Sequence, residues 1–551
     1  MTSQMTGGQY IVKWMEHVEI DRFYFVPGES YLHVLDALRD SEKIQAITTR
    51  HESTASFAAE AYGKLKGKPA VCMATRGPGA SNLSIGIQTA FYDQTPMIAL
   101  IGQVPTTIMH SGAFQEIDFG SFFRPISKEV FSITASHQLP AILNQAYWLS
   151  INGRPGPVVI TLPTDILGSD ITDTLLPKPV SLKYGREENA MAHAILERLE
   201  KADKPLIVSA LPAMKGEEAQ LLTEFAEMVG VPVCGAWRRF SSFPNDHNNF
   251  IGSVGLGSPG VTTQSMKEAD CIIGFGPSME DVAVQGGALI NQQANITQVA
   301  KNIDSGSVRR SGGAAFNGYI ASEVAVLYSL VQICKANSAI ANKIREKNFT
   351  RTLLLRDLFE NRFTKEAGNV EKTSLNIVFN KLNEVIENNA IVTSDAGNFS
   401  HWLLRYISFK DDRVYLGPVN GAMGYGIASA LGAKTCFPAR PVWAFAGDGG
   451  AMMTIGDLET FKRNNVDAVI VVINNGIYGT IRAHQEKQFP NRPFGTDLGD
   501  VDFVKVAEGM GLKAWKIERN EQIDQVLAGA VNEKGPRLIE IIAPIYPISL
   551  T

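Results

Sequence analysis

The stretch Val442-Trp443-Ala444-Phe445-Ala446-Gly447-Asp448-Gly449-Gly450 decides how this chain is read. Its first part is an apolar run of strand length, and its second sets one carboxylate among glycines at the strand's carboxyl end. A second apolar run, Val466–Ile473, follows after a helix-length spacer and ends on Asn474-Asn475. Glycine lets a backbone approach an anion closely, and Mg²⁺ keeps few protein ligands, taking its other oxygens from phosphate and water. One Asp, one Asn side chain and a backbone carbonyl therefore suit a magnesium site for a diphosphate. The plainer alternative is a turn and an Asn-rich loop.

Working outward, the first third alternates strands at Phe23–Val26, Ala46–Thr49, Ala70–Thr75, Met97–Ile101 and Val158–Thr161 with helical patterns, one opening at Pro27-Gly28-Glu29. Such alternation means a parallel sheet with helices on both faces, whose ligands bind outside the carboxyl ends of the strands. Gly28, Glu52 and the Gly77-Pro78-Gly79 loop all fall there. Glu52, in Arg50-His51-Glu52 after Ile44–Thr48, is a functional acid or a carboxylate suited to the N-terminus of a helix over Ser53–Lys66. The glycine loop offers N–H groups to a reacting oxygen or is a simple β–α turn. A second α/β segment starts near Leu182, with strands at Pro205–Ser209, Val231–Cys234, Cys271–Phe275 and Ile296–Val299. The charged helical stretch Asn342–Glu366 reads as a connector, and a third α/β unit runs from about Val370 to Thr551. The expected organisation is three doubly wound parallel-sheet domains over 1–180, 181–340 and 370–551, joined by a connector over 341–369.

A chain of 551 residues exceeds one core. A net charge of −5 without a basic block points to neither nucleic acid nor a membrane surface. Cys72, Cys234, Cys271, Cys334 and Cys436 are dispersed and form no CxxC, which argues for reduced thiols and a cytoplasmic home. Met1–Glu19 lacks the pattern of a signal peptide, and the apolar runs are too short to span a bilayer.

The paired motifs resemble those of the thiamine-diphosphate (ThDP) enzymes. Across nearly the whole chain the likeness is to the acetohydroxyacid (acetolactate) synthase group. It is carried by Pro27-Gly28, Arg50-His51-Glu52, Thr75–Asn82, Phe114-Gln115-Glu116, Gly153–Pro157, Met423–Gly426 and the magnesium motif. The resemblance implies pyrimidine-binding, central and diphosphate-binding domains. The first and third would have related folds and trap the cofactor at the interface of a homodimer or homotetramer. It implies that Glu52 hydrogen-bonds the aminopyrimidine ring and drives the imino form that removes the thiazolium proton. Asp448, Asn475 and the carbonyl of Ile477 would hold Mg²⁺. Pro27, Gly28, Gly397, Asn398, Ala422, Met423, Gly447, Gly449, Gly450 and Gly479 would contact ThDP, with Met423 under the cofactor's bend or, alternatively, a core methionine. Gly79, Gln115 and His484 would join Glu52 in catalysis. The implied reaction decarboxylates a 2-keto acid such as pyruvate and transfers the acyl carbanion equivalent to a second carbonyl compound. A ThDP lyase, hydrolase or decarboxylase is the alternative, and a silent cofactor-binding scaffold the reading outside enzymes.

The chain departs from the synthases at several landmarks. Leu162-Pro163-Thr164-Asp165 replaces Leu-Pro-Lys-Asp, and His484 replaces a tryptophan that helps choose the acceptor, or is an ordinary surface histidine. Val254–Ser258 and Gly276–Glu280 lack the His-Gly turn and arginine of flavin-containing relatives, which counts against a bound FAD. Asp395–Phe399 lacks the usual Gln-His pair, though Asn398 can donate to phosphate. The adjacent histidines of pyruvate-type decarboxylases are absent, with His110 alone near that region.

Overall fold

The computed structural model describes residues 4–172, 175–180, 187–214, 216–361 and 373–544. The expected domain starts near Leu182 and Val370 lie outside them. Three six-stranded sheets, all of whose paired strands run parallel, form three α/β domains. The first contains β2 (Arg22–Phe25), β3 (Gln45–Thr48), β4 (Ala70–Ala74), β5 (Met97–Gln103), β6 (Glu129–Ser132) and β7 (Pro157–Pro163), ordered β3-β2-β4-β5-β7-β6. A short antiparallel pair, β1 (Gln4–Thr6) and β8 (Asp170–Thr172), closes it. The central sheet contains β9 (Pro205–Ser209), β10 (Val233–Gly235), β11 (Phe250–Ser253), β12 (Cys271–Phe275), β13 (Asn295–Ala300) and β14 (Ala315–Ile320), ordered β11-β10-β9-β12-β13-β14. The third contains β15 (Ile391–Ser394), β16 (Val414–Leu416), β17 (Val442–Gly447), β18 (Val469–Asn474), β19 (Lys513–Ile517) and β20 (Arg537–Ile542), ordered β16-β15-β17-β18-β20-β19. The first and third sheets share one strand order, so the expected kinship of their folds is present in the topology.

Strands β4, β5, β7 and β17 are buried almost throughout, as a sheet covered by helices on both faces requires, and their sequences are continuous apolar runs. The first and third domains share a core. Its axis is the crossing of helix Glu52–Lys66 with helix Tyr425–Cys436. Close approach there requires Gly432, because a Cβ would collide with the Ala58 backbone. Phe57 and Tyr425 meet edge to face at 5.4 Å across the crossing, a geometry worth about 0.5–1.5 kcal/mol beyond burial. Around it lies a buried ionic cluster: Lys64 Nζ stands 3.0 Å from Glu60 Oε1 and 2.5 Å from Asp93 Oδ2, and Tyr425 OH donates to Glu60 Oε2 at 2.6 Å.

The described part of the charged stretch is one helix, Ser338–Glu360, which packs on the central domain through Ala341, Ile344 and Phe359. Among the described residues no single helix is long and apolar enough to cross a membrane. All five cysteines are buried and free.

Candidate active site

The expected site residues fall into two groups, each at the carboxyl ends of one sheet. In the first domain, Pro27 and Gly28 follow β2, and the side of Gly28 that lacks a Cβ faces Thr75 at the end of β4. Glu52 is the first residue of helix Glu52–Lys66, half-buried, and its Oε2 accepts from Asn82 Nδ2 at 2.9 Å. His51 caps the same helix, its Nδ1 accepting from the Ser53 N–H at 3.2 Å. The expected Gly77–Gly79 loop is instead the first turn of helix Gly77–Asp93. It starts directly after the strand because Pro78 fits the first turn of a helix, where its missing N–H is no loss. Gly79 lies against Glu52, with 3.1 Å from its would-be Cβ to Glu52 Oε1. Gln115, in a left-handed backbone (φ 65°), turns its carbonyl to accept the Gly77 N–H at 2.8 Å. One N–H of that helix start is thus already satisfied. Beside it Phe114 is 74% exposed.

In the third domain Asp448 opens helix Asp448–Thr454 directly after β17, and its Oδ2 accepts the Gly476 N–H at 2.8 Å. Burial raises the Asp448 carboxyl above its ordinary range, against the N–H groups of Gly449 and Gly476. A cation would reverse that penalty. The two asparagines at the end of β18 divide their work. Asn474 turns inward, its Nδ2 donating to Glu540 Oε1 at 2.8 Å and to Val501 O at 3.2 Å. Asn475 Oδ1 accepts from the Ile477 N–H at 3.2 Å, in the turn whose Gly476 N–H bonds Asp448. Ile477 is itself fixed by a bridge to Asp497.

The glycines here form a cradle that side chains would fill. A Cβ on Gly449 would lie 2.5 Å from the Tyr478 ring, one on Gly479 would lie 2.5 Å from Asn398 Nδ2, and one on Gly450 would collide with Asp395 Oδ2. Gly447 faces Phe399 at 3.3 Å by the same measure. Gly397 and Asn398 follow β15, and the Ala396 N–H donates to Ala422 O at 3.4 Å. That brings Ala422 and the half-buried Met423 beside the same turn. His484 lies exposed in the second turn of helix Gly479–Gln488.

Two residues beneath the site carried no sequence signal of their own. Asp395 is fully buried, which pushes its carboxyl up to about 7 although the N–H groups of Gly426, Gly424 and Tyr425 and the charge of Arg238 oppose this. Asn82, the partner of Glu52, lay within a quoted motif without a role. Their common signal is spatial: each faces a motif residue from a different element.

The Val254–Ser258 segment is used for packing. The open sides of Gly255 and Gly257 face the rings of Trp237 and His401, and burial lowers the His401 pKa to about 4. Thr164, in place of the synthase lysine, donates to Gln103 O at 3.0 Å. A cavity of about 660 Å³ opens between Ala210-Leu211 after β9 and Gly276-Pro277 after β12, against Lys64 and Asp93. Strand order reverses between β9 and β12, the place where doubly wound sheets take ligands.

Comparison with known families gives three matches in chain order. They are the N-terminal TPP binding domain of thiamine pyrophosphate enzymes over residues 5–122, their central domain over 192–319 and their C-terminal TPP binding domain over 395–541. The chain is 30% identical to the probable acetolactate synthase large subunit of Methanocaldococcus jannaschii, over 98% of this chain and 92% of that protein. It is 28% identical to the acetolactate synthase of Mycobacterium leprae, over 99% and 89%. Against the acetolactate synthase large subunit of Corynebacterium glutamicum it is 29% identical, over 99% and 88%. With two strand-end half-sites, three domain matches in order and similarity along its length, the chain belongs to the thiamine pyrophosphate enzymes, in their acetolactate synthase group.

Proposed function

We propose that this protein is a ThDP- and Mg²⁺-dependent carboligase that decarboxylates a 2-keto acid such as pyruvate and joins the acyl unit to a second carbonyl compound. The observation that carries the reading is the glycine cradle around Asp448 and Asn475, which fits a diphosphate, together with a half-buried Glu52 at the start of its helix. Similarity to acetolactate synthases along the chain favours ligation over a decarboxylase or lyase that ends with a proton.

ThDP, when bound, supplies a nucleophilic thiazolium carbon. The chain's own residues do the rest. Glu52 holds and returns the proton on the pyrimidine ring, with Asn82 fixing one of its oxygens. Asp448, the Asn475 side chain and the Ile477 carbonyl hold Mg²⁺, while Gly397, Asn398, Gly447, Gly449, Gly450 and Gly479 leave space for the phosphates. Pro27, Gly28, Ala422 and Met423 would line the rings, with Met423 supporting them. Gly79 and Gln115 face the reacting carbonyl, and His484 the acceptor. We further propose a homodimer or homotetramer in which Glu52 of one copy meets Asp448 of another. Exposure of Met452, Met453, Ile85 and Phe122 beside the two half-sites supports a covering surface. The domain limits proposed are 1–180, 181–340 and 370–551, with 341–369 as connector. The buried free thiols support a reducing, cytoplasmic setting. Flavin is not part of this reading, because Val254–Ser258 is engaged in packing and Pro277-Ser278-Met279 stands where flavin-containing relatives place an arginine.

Carbon dioxide release from pyruvate with product analysis tests the function. Release with an acetolactate-type product is expected. Release with free aldehyde would replace ligation by simple decarboxylation, and no release from any 2-keto acid would refute the reading.

A further inference from the structure

The central domain carries two consecutive buried arginines that the proposed chemistry does not use. They lie in the turn after β10, which closes with the Arg239 N–H on Ala236 O at 3.0 Å, and Arg238 adopts a left-handed backbone (φ 54°). A non-glycine residue keeps such a conformation where its surroundings over-determine it. The two side chains serve different domains. Arg239 Nη2 donates to Asp93 O in the first domain at 3.1 Å. Arg238 Nη1 donates to Asp395 O at 3.1 Å and to Tyr415 OH at 3.2 Å in the third domain, and its Nη2 reaches Ser400 Oγ at 3.5 Å.

Arg238 therefore grips both ends of the turn 395–400. Ser400 Oγ in turn donates to Gly397 O at 2.7 Å, so the grip extends to the residues placed against the diphosphate. Asp395 carries it further. Its Oδ1 accepts the Gly426 N–H at 2.6 Å, it also faces the N–H groups of Gly424 and Tyr425, and its Oδ2 occupies the space a Cβ on Gly450 would need. One carboxylate thus joins the diphosphate turn, the helix start that follows Met423, and the Gly447–Gly450 segment. A guanidinium suits the hub because its planar fork serves several acceptors at once and stacks on an aromatic face, here Trp237 at 5.0 Å.

We propose that Arg238 is a positioning residue for the cofactor site, through which the central domain fixes the 395–400 turn and, by way of Asp395, the Met423 and Gly450 segments. This rests on the ThDP reading above. The test is calorimetric titration of ThDP at saturating Mg²⁺ into the full-length wild type, Arg238→Ala and Arg238→Lys, with the near-ultraviolet circular dichroism of the bound cofactor and the unfolding midpoint of the cofactor-free protein. Arg238→Ala should raise the Kd at least tenfold and alter the cofactor's dichroic band. Arg238→Lys, whose compact ammonium lacks the fork that spans the acceptors of Nη1 and Nη2, should fall between. A purely structural strut would lower the unfolding midpoint and leave Kd and band at wild-type values, and that outcome overturns the proposal. Should Arg238→Ala not fold, Arg238→Lys decides alone: a Kd raised several-fold supports the positioning role, and a wild-type Kd and band overturn it. Absence of ThDP binding by the wild type would instead sink the cofactor reading itself.

Discussion

Replacing Glu52 by Gln separates the chemical role of this residue from its structural one, because the structure assigns each a different size. Glu52 Oε2 accepts from Asn82 Nδ2 at 2.9 Å, and a glutamine oxygen can accept the same bond. What is lost structurally is a negative charge at the first position of helix Glu52–Lys66, worth about 0.3–1 kcal/mol. The fold and the affinity for ThDP should therefore be nearly unchanged. An amide cannot cycle a proton on the pyrimidine ring, however. Losing one positioned acid–base group costs about 10²–10⁴ in rate, or roughly 3–5.5 kcal/mol at 1.36 kcal/mol per decade. The two effects differ enough to be read apart in one variant. Exchange of the thiazolium C2 proton in bound ThDP, followed by NMR after a jump into D₂O, measures the chemical part directly. Thermal unfolding and ThDP titration measure the structural part. If Glu52→Gln exchanges the C2 proton at the wild-type rate, Glu52 is not the activating acid, and a rate loss matched by loss of cofactor binding would refute the separation.

The other predictions concern metal, subunits, acceptor and flavin. Asp448→Ala should weaken ThDP binding at fixed Mg²⁺ at least tenfold, about 1.4 kcal/mol, because the diphosphate loses its metal's hard ligand; unchanged affinity by calorimetry would remove the metal assignment. Co-expressed Glu52→Gln and Asp448→Ala subunits should regain about a quarter of wild-type activity, since half of random dimers are mixed and each holds one intact shared site; no recovery in verified mixed dimers would place both residues in one subunit's site. His484→Trp should shift the ratio of 2-ketobutyrate to pyruvate taken as acceptor and leave donor decarboxylation nearly intact, as the donor reacts first; competition assays giving an unaltered ratio would show His484 is not on the acceptor side. The purified protein should be colourless, and stoichiometric FAD in an absorbance scan after denaturation would return it to the flavin-containing synthases.

The sequence made the inner strands legible and, β3 excepted, lost the outer ones. β4, β5, β7, β9, β12, β17, β18 and β20 are central strands, buried on both faces, and announce themselves as apolar runs. The strands that went unseen, β6, β11, β14, β16 and β19 together with the short pair β1 and β8, all lie at sheet edges. β6, β14 and β19 are partly exposed and so read as mixed polar sequence, while β11 and β16 are buried but only four and three residues long. The same contrast governs the site. Asp448, Asn475 and Glu52 stand out because the chemistry proposed for them demands a residue type just beyond a strand. The Gly77–Gly79 turn was misjudged because Pro78 suits a loop and a first helical turn equally well. Asn82, Arg238 and Asp395 went unassigned because what selects them is a distance to another element, and distance is not written along the chain.

Within one chain, the two half-sites are linked by contacts between Arg50 and the segment that follows Asp448. The Arg50 N–H donates to Asp457 Oδ1 at 2.8 Å, and Arg50 Nε meets Glu459 at 2.8 Å, so the residues preceding Glu52 dock on the far end of the helical segment that begins at Asp448. Helix Asp448–Thr454 and the 3-10 turn Ile455–Asp457 lead from Asp448 to Asp457. Glu52 meanwhile spends its hydrogen bond on Asn82 of its own domain. The intrachain crossing of Glu52–Lys66 with Tyr425–Cys436 is fastened by Gly432, the Phe57–Tyr425 pair and the Lys64 cluster. Met452 and Met453, on the helix that Asp448 opens, are about half exposed although large apolar side chains cost free energy in water. The uncovered apolar face beside Asp448 supports the proposed completion of the site by a second copy, and the mixed-subunit experiment tests that proposal where single variants cannot.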